Sequence, residues 1–128
     1  MGDLSPHFSR HEFECHGNNC CDHSAPINPD LIQALEHLRD LLSKNNGLHE
    51  IPILILSGFR CQKHNKLIRS SPKSQHTLGL AADIIAPPFS PLTIALIANY
   101  TPWFSNGGIG AYDSFVHLDI RHDGPARW

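Results

Sequence analysis

This chain of 128 residues has few charged residues, no long apolar run and no recognisable targeting segment. Only 17% of the residues are charged, with 10 Lys and Arg against 12 Asp and Glu. This near-neutral balance argues against electrostatic binding to nucleic acid or to an anionic membrane surface. No apolar run approaches the roughly 18 residues that span a bilayer, so membrane insertion is not expected.

The first residues, Met1 to His7, lack the basic and apolar regions of a secretory signal. If the protein acts outside the cytoplasm, we therefore expect lysis, a non-standard export route or a virion to deliver it. The length suits one domain over residues 1–128, and an apolar content of 41% excludes general disorder.

Cysteine is sparse but concentrated near the N-terminus. Cys15, Cys20 and Cys21 fall within seven residues, and the fourth cysteine is Cys61. Soft ligands this close together could hold a structural zinc ion, could pair as disulfides or could stay as buried thiols. The spacing matches no established zinc template, and cysteine pairing cannot be assigned from sequence alone. All three alternatives stay open at this point.

Apolar periodicity and capping residues indicate a small α+β fold. The clearest helix has Asn28 as its cap and Pro29 at its first position, followed by leucines every three to four residues. Short connections and closely spaced later strands favour an antiparallel sheet packed with helices. The predicted elements are an irregular, Cys- and His-rich lobe over residues 1–27, a helix over 28–44, a strand over 51–56, a short helix over 62–69, a loop over 69–74, a strand over 80–86, a helix over 91–100 that stops at Thr101-Pro102, and a strand over 115–120.

Two groups of polar residues stand out, among ten histidines in all. His76 and Asp83 are separated by small residues that enter a strand-like run. Strand alternation places Phe115, His117 and Asp119 on one face, opposite an apolar face that belongs to the core. Two histidines and one carboxylate can form a zinc site with an open fourth position for water. The sequence therefore predicts one catalytic Zn²⁺ held by His76, Asp83 and His117.

These residues form part of a longer pattern. The chain contains Ser74-x-His76-x-x-Gly79-x-Ala81-x-Asp83, then Gly108-Ile109-Gly110-x-Tyr112 and Phe115-Val116-His117-x-Asp119. The pattern resembles the M15 zinc peptidases, in particular the small branch that cuts bacterial peptidoglycan stem peptides and shares its fold with hedgehog signalling domains. Ser57-Gly58-Phe59-Arg60-Cys61 and the closing Ala126-Arg127-Trp128 extend the resemblance over nearly the whole chain.

The resemblance implies roles for particular side chains. The zinc ligands would be His76, Asp83 and His117. Arg60 would bind a substrate carboxylate or steady the scissile carbonyl, because its planar guanidinium pairs well with carboxylates. Ser74 and Gln75 would line the substrate groove, although Ser74 could instead cap a turn.

One position departs from the family pattern. Several relatives carry an acid that acts as general base three residues before the last histidine ligand, where this chain has Ser114. Others have a histidine two residues before that ligand, where this chain has Phe115. We therefore expect the base elsewhere, first at Asp119, which shares a strand face with His117, and alternatively at Asp113. Asp119 could instead orient His117, and Asp113 could be a turn residue.

The resemblance predicts a zinc-dependent peptidase that acts on peptidoglycan stem peptides or crosslinks. The bond would be that of a D,D-carboxypeptidase, a D,D-endopeptidase or an L-Ala-D-Glu endopeptidase. The alternative is a non-catalytic zinc-containing module of the same fold that binds cell wall or a protein, which the missing acid at Ser114 keeps open. The expected partner is a peptidoglycan peptide, met by a monomer in the periplasm or outside the cell.

Overall fold

A mixed five-stranded sheet organises the molecule. This computed structural model describes residues 2–17, 21, 26–47, 50–71 and 73–128. The strands are β1 Leu54–Ser57, β2 Ala81–Ile85, β3 Gly108–Ala111, β4 Val116–Asp119 and β5 Ala126–Arg127. Their order across the sheet is β1-β2-β4-β3-β5. The α+β class is confirmed, but the sheet is not wholly antiparallel, because the last residues run parallel to β3.

Helices pack against the sheet and against one another. They are α1 Pro29–Lys44, α2 Gln62–Leu67, α3 Pro91–Ala98 and α4 Pro102–Ser105, with 3₁₀ helices at Arg10–Phe13 and Gln75–Leu78. Helices α3 and α4 contact β3 and β4, and α1 contacts α3 and α4. Over the part of the chain that the structure describes, no helix combines the length and apolar character needed to cross a membrane.

The capping and first-turn residues predicted for α1 take up those positions in the structure. The Asn28 side chain accepts a hydrogen bond from the Asp30 backbone N–H at 2.8 Å, and Pro29 occupies the first helical turn, where its missing N–H costs nothing. One face of the helix is buried against the core, through Leu31, Ile32, Ala34, Leu35, Leu38 and Leu42.

The core determines which side of the sheet remains available for function. Alternate strand residues enter the core, among them Ile84 on β2 and Leu118 on β4, which are both fully buried. Phe8 and Phe13 of the N-terminal lobe also join this core. Because side chains alternate along a strand, the residues between the core positions, including His117, face the opposite side of the sheet.

Several element boundaries differ from the sequence prediction, and three of the differences have a clear physical reason. Strand β1 begins at Leu54 rather than at residue 51, since Pro52 has no N–H to donate to a neighbouring strand. Helix α2 ends at Leu67, before Arg69 with its positive φ of 58°. Helix α3 ends at Ala98, before the predicted stop at Thr101-Pro102, and Pro102 also opens α4, where proline is favoured at the first position.

Candidate metal centre

His76 is fixed by the short 3₁₀ helix Gln75–Leu78 and by the loop beside it. The Ser74 side chain caps this helix by accepting a hydrogen bond from the His76 backbone N–H at 3.3 Å. The His76 ring is only 1% exposed, and its Nδ1 donates to the carbonyl oxygen of Gly58 at 2.7 Å. That bond leaves Nε2 pointing at Asp83, 3.1 Å from its Oδ1.

Asp83 and His117 are brought together by strand pairing. They are directly opposite each other in the antiparallel β2–β4 pair, and residues opposite each other in such a pair lie within side-chain contact. Nδ1 of His117 lies 2.9 Å from Oδ1 of Asp83. The sheet register therefore places these two side chains beside the ring of His76.

The donor set fits a zinc ion. The ligand atoms of His76, Asp83 and His117 all lie within 4.8 Å of one another. The N–O separations of 2.9 and 3.1 Å are slightly below the roughly 3.3 Å edge of a tetrahedron with zinc bonds of about 2.0 Å. The outward nitrogen of each ring donates to an acceptor, which turns the other nitrogen inward as metal-binding histidines require.

Electrostatics keep this carboxylate ionised. Burial disfavours the charge of Asp83, but hydrogen bonds with His117 and His76 outweigh burial and hold the pKa of Asp83 well below its usual range. Burial likewise opposes the charge of His117, yet hydrogen bonds to Asp119 and Asp83 raise the pKa of His117. An ionised carboxylate between two imidazoles is suited to bind a cation, which displaces the competing protons.

Asp119 lies on the far side of the His117 ring from Asp83. Its Oδ2 accepts a hydrogen bond from Nε2 of His117 at 2.7 Å, and the residue is fully buried. Arg121 donates to both carboxylate oxygens, and the Gly108 backbone N–H donates to Oδ1 at 2.9 Å. This geometry does not favour the first choice of Asp119 as general base, because both of its oxygens accept hydrogen bonds and lie on the far side of the His117 ring from Asp83. The geometry favours the alternative that Asp119 orients His117.

Arg60 is buried beside the candidate metal centre. It is 8% exposed, its Nη1 donates to Oδ1 of Asn65 at 3.2 Å, and its Nη2 lies 3.7 Å from Oδ2 of Asp83. Among the described residues, no acceptor lies within hydrogen-bond distance of its buried Nε. Burial lowers the pKa of Arg60, opposed by Asp83. Arg60 is therefore buried at the site and does not form an ion pair at the protein surface.

A cleft of about 570 Å³ opens over the three ligands, a size typical of small-ligand sites. Arg60, Ser74 and Gln75 line it, as the sequence predicted, although Ser74 also caps the helix that carries His76. Asp113 is exposed in the turn between β3 and β4 and is not among the lining residues.

Sequence reasoning missed the contribution of the C-terminal segment to the cleft. Arg121, Asp123 and Trp128 line it, together with Tyr112. Trp128 Nε1 donates to the Tyr112 hydroxyl at 2.7 Å, and its ring centroid lies 5.1 Å from that of His117. The sequence did contain a signal for the two charged residues. Arg121 and Asp123 directly follow the strand that carries His117, and residues in that position lie at the edge of the metal centre.

The cysteines lie in a second cluster. Sulfur atoms of Cys15, Cys21 and Cys61 lie within 4.8 Å of one another, whereas Cys20 is outside the described residues. Cys15 is buried, and its sulfur lies 3.8 Å from that of Cys61. Of the three alternatives for these residues, the structure therefore brings together the atoms that a metal or a disulfide would need.

Comparison with known proteins adds an independent finding. A family model described as Peptidase M15 matches residues 6–119 of the chain. The matched region contains all three residues of the candidate metal centre and stops before Asp123 and Trp128 of the cleft. A search of curated proteins returned no match to this chain.

Proposed function

Since the chain belongs to the peptidase M15 family, we propose that it is a zinc-dependent peptidase that hydrolyses peptide bonds in the stem peptides or crosslinks of bacterial peptidoglycan. Membership makes the chain a metallopeptidase in general; zinc and the substrate are our proposal. The observation that carries it is the convergence of an imidazole, a carboxylate and a second imidazole at the floor of an open cleft.

The residues that would hold zinc are His76 through Nε2, Asp83 through Oδ1 and His117 through Nδ1. Among the described residues, no fourth histidine, cysteine or carboxylate joins this group. Three protein ligands are typical of catalytic zinc, whereas structural zinc usually has four. When bound in such a site, zinc lowers the pKa of water and polarises a peptide carbonyl.

The charges of the cleft suit a substrate rich in carboxylates. Arg60, Lys73 and Arg121 line it, against Asp83 and Asp123. Asp83 is engaged by two histidines and Arg121 is paired with Asp119, so Arg60 and Lys73 against Asp123 would leave an excess positive charge for an incoming peptide. Peptidoglycan stem peptides carry free carboxylates along their length and at their ends, which guanidinium groups bind bidentately. We assign this role first to Arg60, whose contact with Asp83 is long at 3.7 Å.

For proton transfer, the positions of Asp119 and Asp113 favour a third acidic residue. Asp123 is the remaining acidic residue in the described lining of the cleft. We assign to its carboxylate the acceptance of a proton from the attacking water and its transfer to the departing amine, because a proton-transfer group must first lie within reach of the substrate.

The test is digestion of purified sacculi and crosslinked muropeptides, with products identified by mass spectrometry. We expect zinc-loaded protein to release defined fragments, and chelator or His76→Ala to abolish release. His11→Ala is the matched control, since His11 is exposed on the 3₁₀ helix Arg10–Phe13, and it should retain full activity.

Failure of zinc-loaded, folded protein to cut any muropeptide would overturn the proposal. Binding to sacculi without cleavage would then support the non-catalytic module of the same fold. The masses of the products also identify the bond, since D-alanine, a separated crosslink and a released D-Glu peptide differ in mass.

We further propose that the protein acts as a monomer on the cell wall, reached from outside the cytoplasm. One chain supplies all three ligands and the described lining of the cleft, so the site does not require a second copy. Light scattering at working concentrations should give the mass of one chain, 14.2 kDa.

A further inference from the structure

The N-terminal lobe and the start of α2 share a cluster of sulfur atoms that the peptidase reaction does not use. We propose that Cys15, Cys21 and Cys61 form a second metal site, in which their thiolates supply three of the four ligands of a structural Zn²⁺. This inference is independent of the proposed function, because it concerns different residues and a different role.

The sulfur geometry carries the proposal. The sulfurs of Cys15 and Cys61 are 3.8 Å apart. A disulfide requires about 2.05 Å between its sulfurs. A tetrahedral zinc site with Zn–S bonds of about 2.3 Å has sulfur–sulfur edges of about 3.8 Å. The third sulfur, of Cys21, lies within 4.8 Å of both. The same spacing is that of a hydrogen bond between two thiols, and it also fits the edge of a tetrahedral zinc site without movement of either chain segment.

The surroundings of the sulfurs suit thiolates. The sulfur of Cys61 accepts a hydrogen bond from the His64 backbone N–H at 3.3 Å, and such N–H groups stabilise metal-bound sulfur. Cys15 is 3% exposed, which shields a bound ion from solvent. Arg60, which directly precedes Cys61 in the chain, adds a positive charge beside these sulfurs.

The position of the cluster gives the ion a mechanical role. Cys15 and Cys21 belong to the N-terminal lobe, whereas Cys61 caps α2 directly after Arg60. The Phe59 backbone N–H donates to the Phe13 carbonyl at 2.9 Å, in the segment whose Gly58 carbonyl orients His76. An ion shared by lobe and helix would therefore hold the segment that supports His76 and Arg60.

The first experiment isolates the sulfur site from the peptidase site. The double variant His76→Ala, His117→Ala removes two ligands of the candidate metal centre and should keep one zinc ion per chain after purification under reducing conditions. Adding Cys61→Ser should remove that ion. The bound zinc would be measured by elemental mass spectrometry. Loss of all zinc from the double variant would overturn the proposal, whatever the digestion assay shows.

Cobalt provides a spectroscopic readout that does not depend on activity. Loading the double variant with Co²⁺ should produce the intense near-ultraviolet absorption of cobalt bound to thiolate, which Cys61→Ser or Cys15→Ser should reduce. An unchanged spectrum in both cysteine variants contradicts the assignment.

A third measurement uses the unaltered protein, in case the cysteine variants do not fold. The three thiols should resist alkylation in the native protein and react after a strong chelator is added, without any reductant. Peptide mapping would identify the labelled residues. Alkylation that requires a reductant instead of a chelator would show a disulfide and overturn the metal site.

Discussion

At the scale of single residues, the two nitrogens of His117 explain most of the site. Nδ1 faces Asp83, and Nε2 donates to Asp119, so each nitrogen has a fixed task. The side chain of Asp119 is held in turn by Arg121 at 2.7 and 2.9 Å. A buried carboxylate that fixes the tautomer of a histidine raises its basicity as a metal ligand. The hydrogen bonds that link Arg121, Asp119 and His117 therefore orient His117 for metal binding.

Replacing Asp119 tests this support directly. We expect Asp119→Asn to lower zinc affinity by roughly 10- to 100-fold, as loss of a carboxylate behind a histidine ligand does in other metal sites. Zinc affinity would be measured by competition with a chromophoric chelator, and activity at saturating zinc would largely recover.

Asp113→Asn is the matched control for this change, because Asp113 is exposed in the turn before β4, and its zinc affinity should not change. Normal affinity combined with lost activity at saturating zinc in Asp119→Asn would instead return Asp119 to the role of general base.

At the scale of elements, local chemistry made several features predictable. Helix α1 follows from Asn28, Pro29 and a leucine stripe, and all of these signals lie within a few residues of one another. Strand β4 follows from the alternation around His117. The parallel edge strand β5 has only two residues, so its pairing with β3 depends on tertiary contacts that no local pattern encodes.

Gly79 ends the 3₁₀ helix that carries His76, with φ of +72°. A side chain there would also collide with the carbonyl oxygen of Pro26. We expect Gly79→Ala to lower the free energy of unfolding by roughly 1 to 3 kcal/mol, measured in urea, and to weaken zinc binding as His76 shifts.

The control for Gly79→Ala is Gly47→Ala, because Gly47 follows α1 and also has a positive φ, of 66°. That variant should lose stability through backbone strain but keep its zinc affinity. Equal zinc affinity in the two variants would contradict the link between Gly79 and His76.

Glu36 connects α1 to the N-terminal lobe and gives this contact a pH dependence. Its carboxylate accepts hydrogen bonds from the Ser5 hydroxyl at 2.6 Å and the His7 backbone N–H at 2.9 Å. Burial opposes its charge, but hydrogen bonds from Ser5 and His7 outweigh burial and lower the pKa of Glu36 from 4.5. A lowered pKa in the folded state contributes stability above pH 4.5 that is lost as the pH falls through the folded value.

We therefore expect Glu36→Gln to cost about 1 to 2 kcal/mol of unfolding free energy at neutral pH. The difference from the unaltered protein should shrink as the pH falls below 4.5, in urea titrations at a series of pH values. Glu50→Gln is the control, since the Glu50 side chain is 78% exposed and should show no such trend. A difference that stays constant with pH would contradict the assigned cause.

At the scale of the whole molecule, the ligands could be proposed from sequence but their support could not. His76, Asp83 and His117 follow a recognisable pattern, since two of them lie seven residues apart and the third is on an alternating strand. Trp128 reaches the cleft because β5, the strand directly before it, pairs with β3 at the edge of the sheet. Such long-range placement depends on the assembled sheet, which residue spacing does not encode.

Metal removal should therefore destabilise the whole fold as well as stop the reaction. The three ligands come from β2, β4 and the 3₁₀ helix Gln75–Leu78, which unfolding separates, so zinc binds the native state preferentially. Free zinc at 100 times its dissociation constant would add about 2.7 kcal/mol of stability. We expect a chelator to lower the midpoint of thermal unfolding by several degrees, and added zinc to restore it. In His76→Ala, the chelator should lower this midpoint by less. We expect the remaining decrease to come from loss of the metal that the three cysteine sulfurs bind. An identical drop in His76→Ala would mean that His76 does not hold the ion.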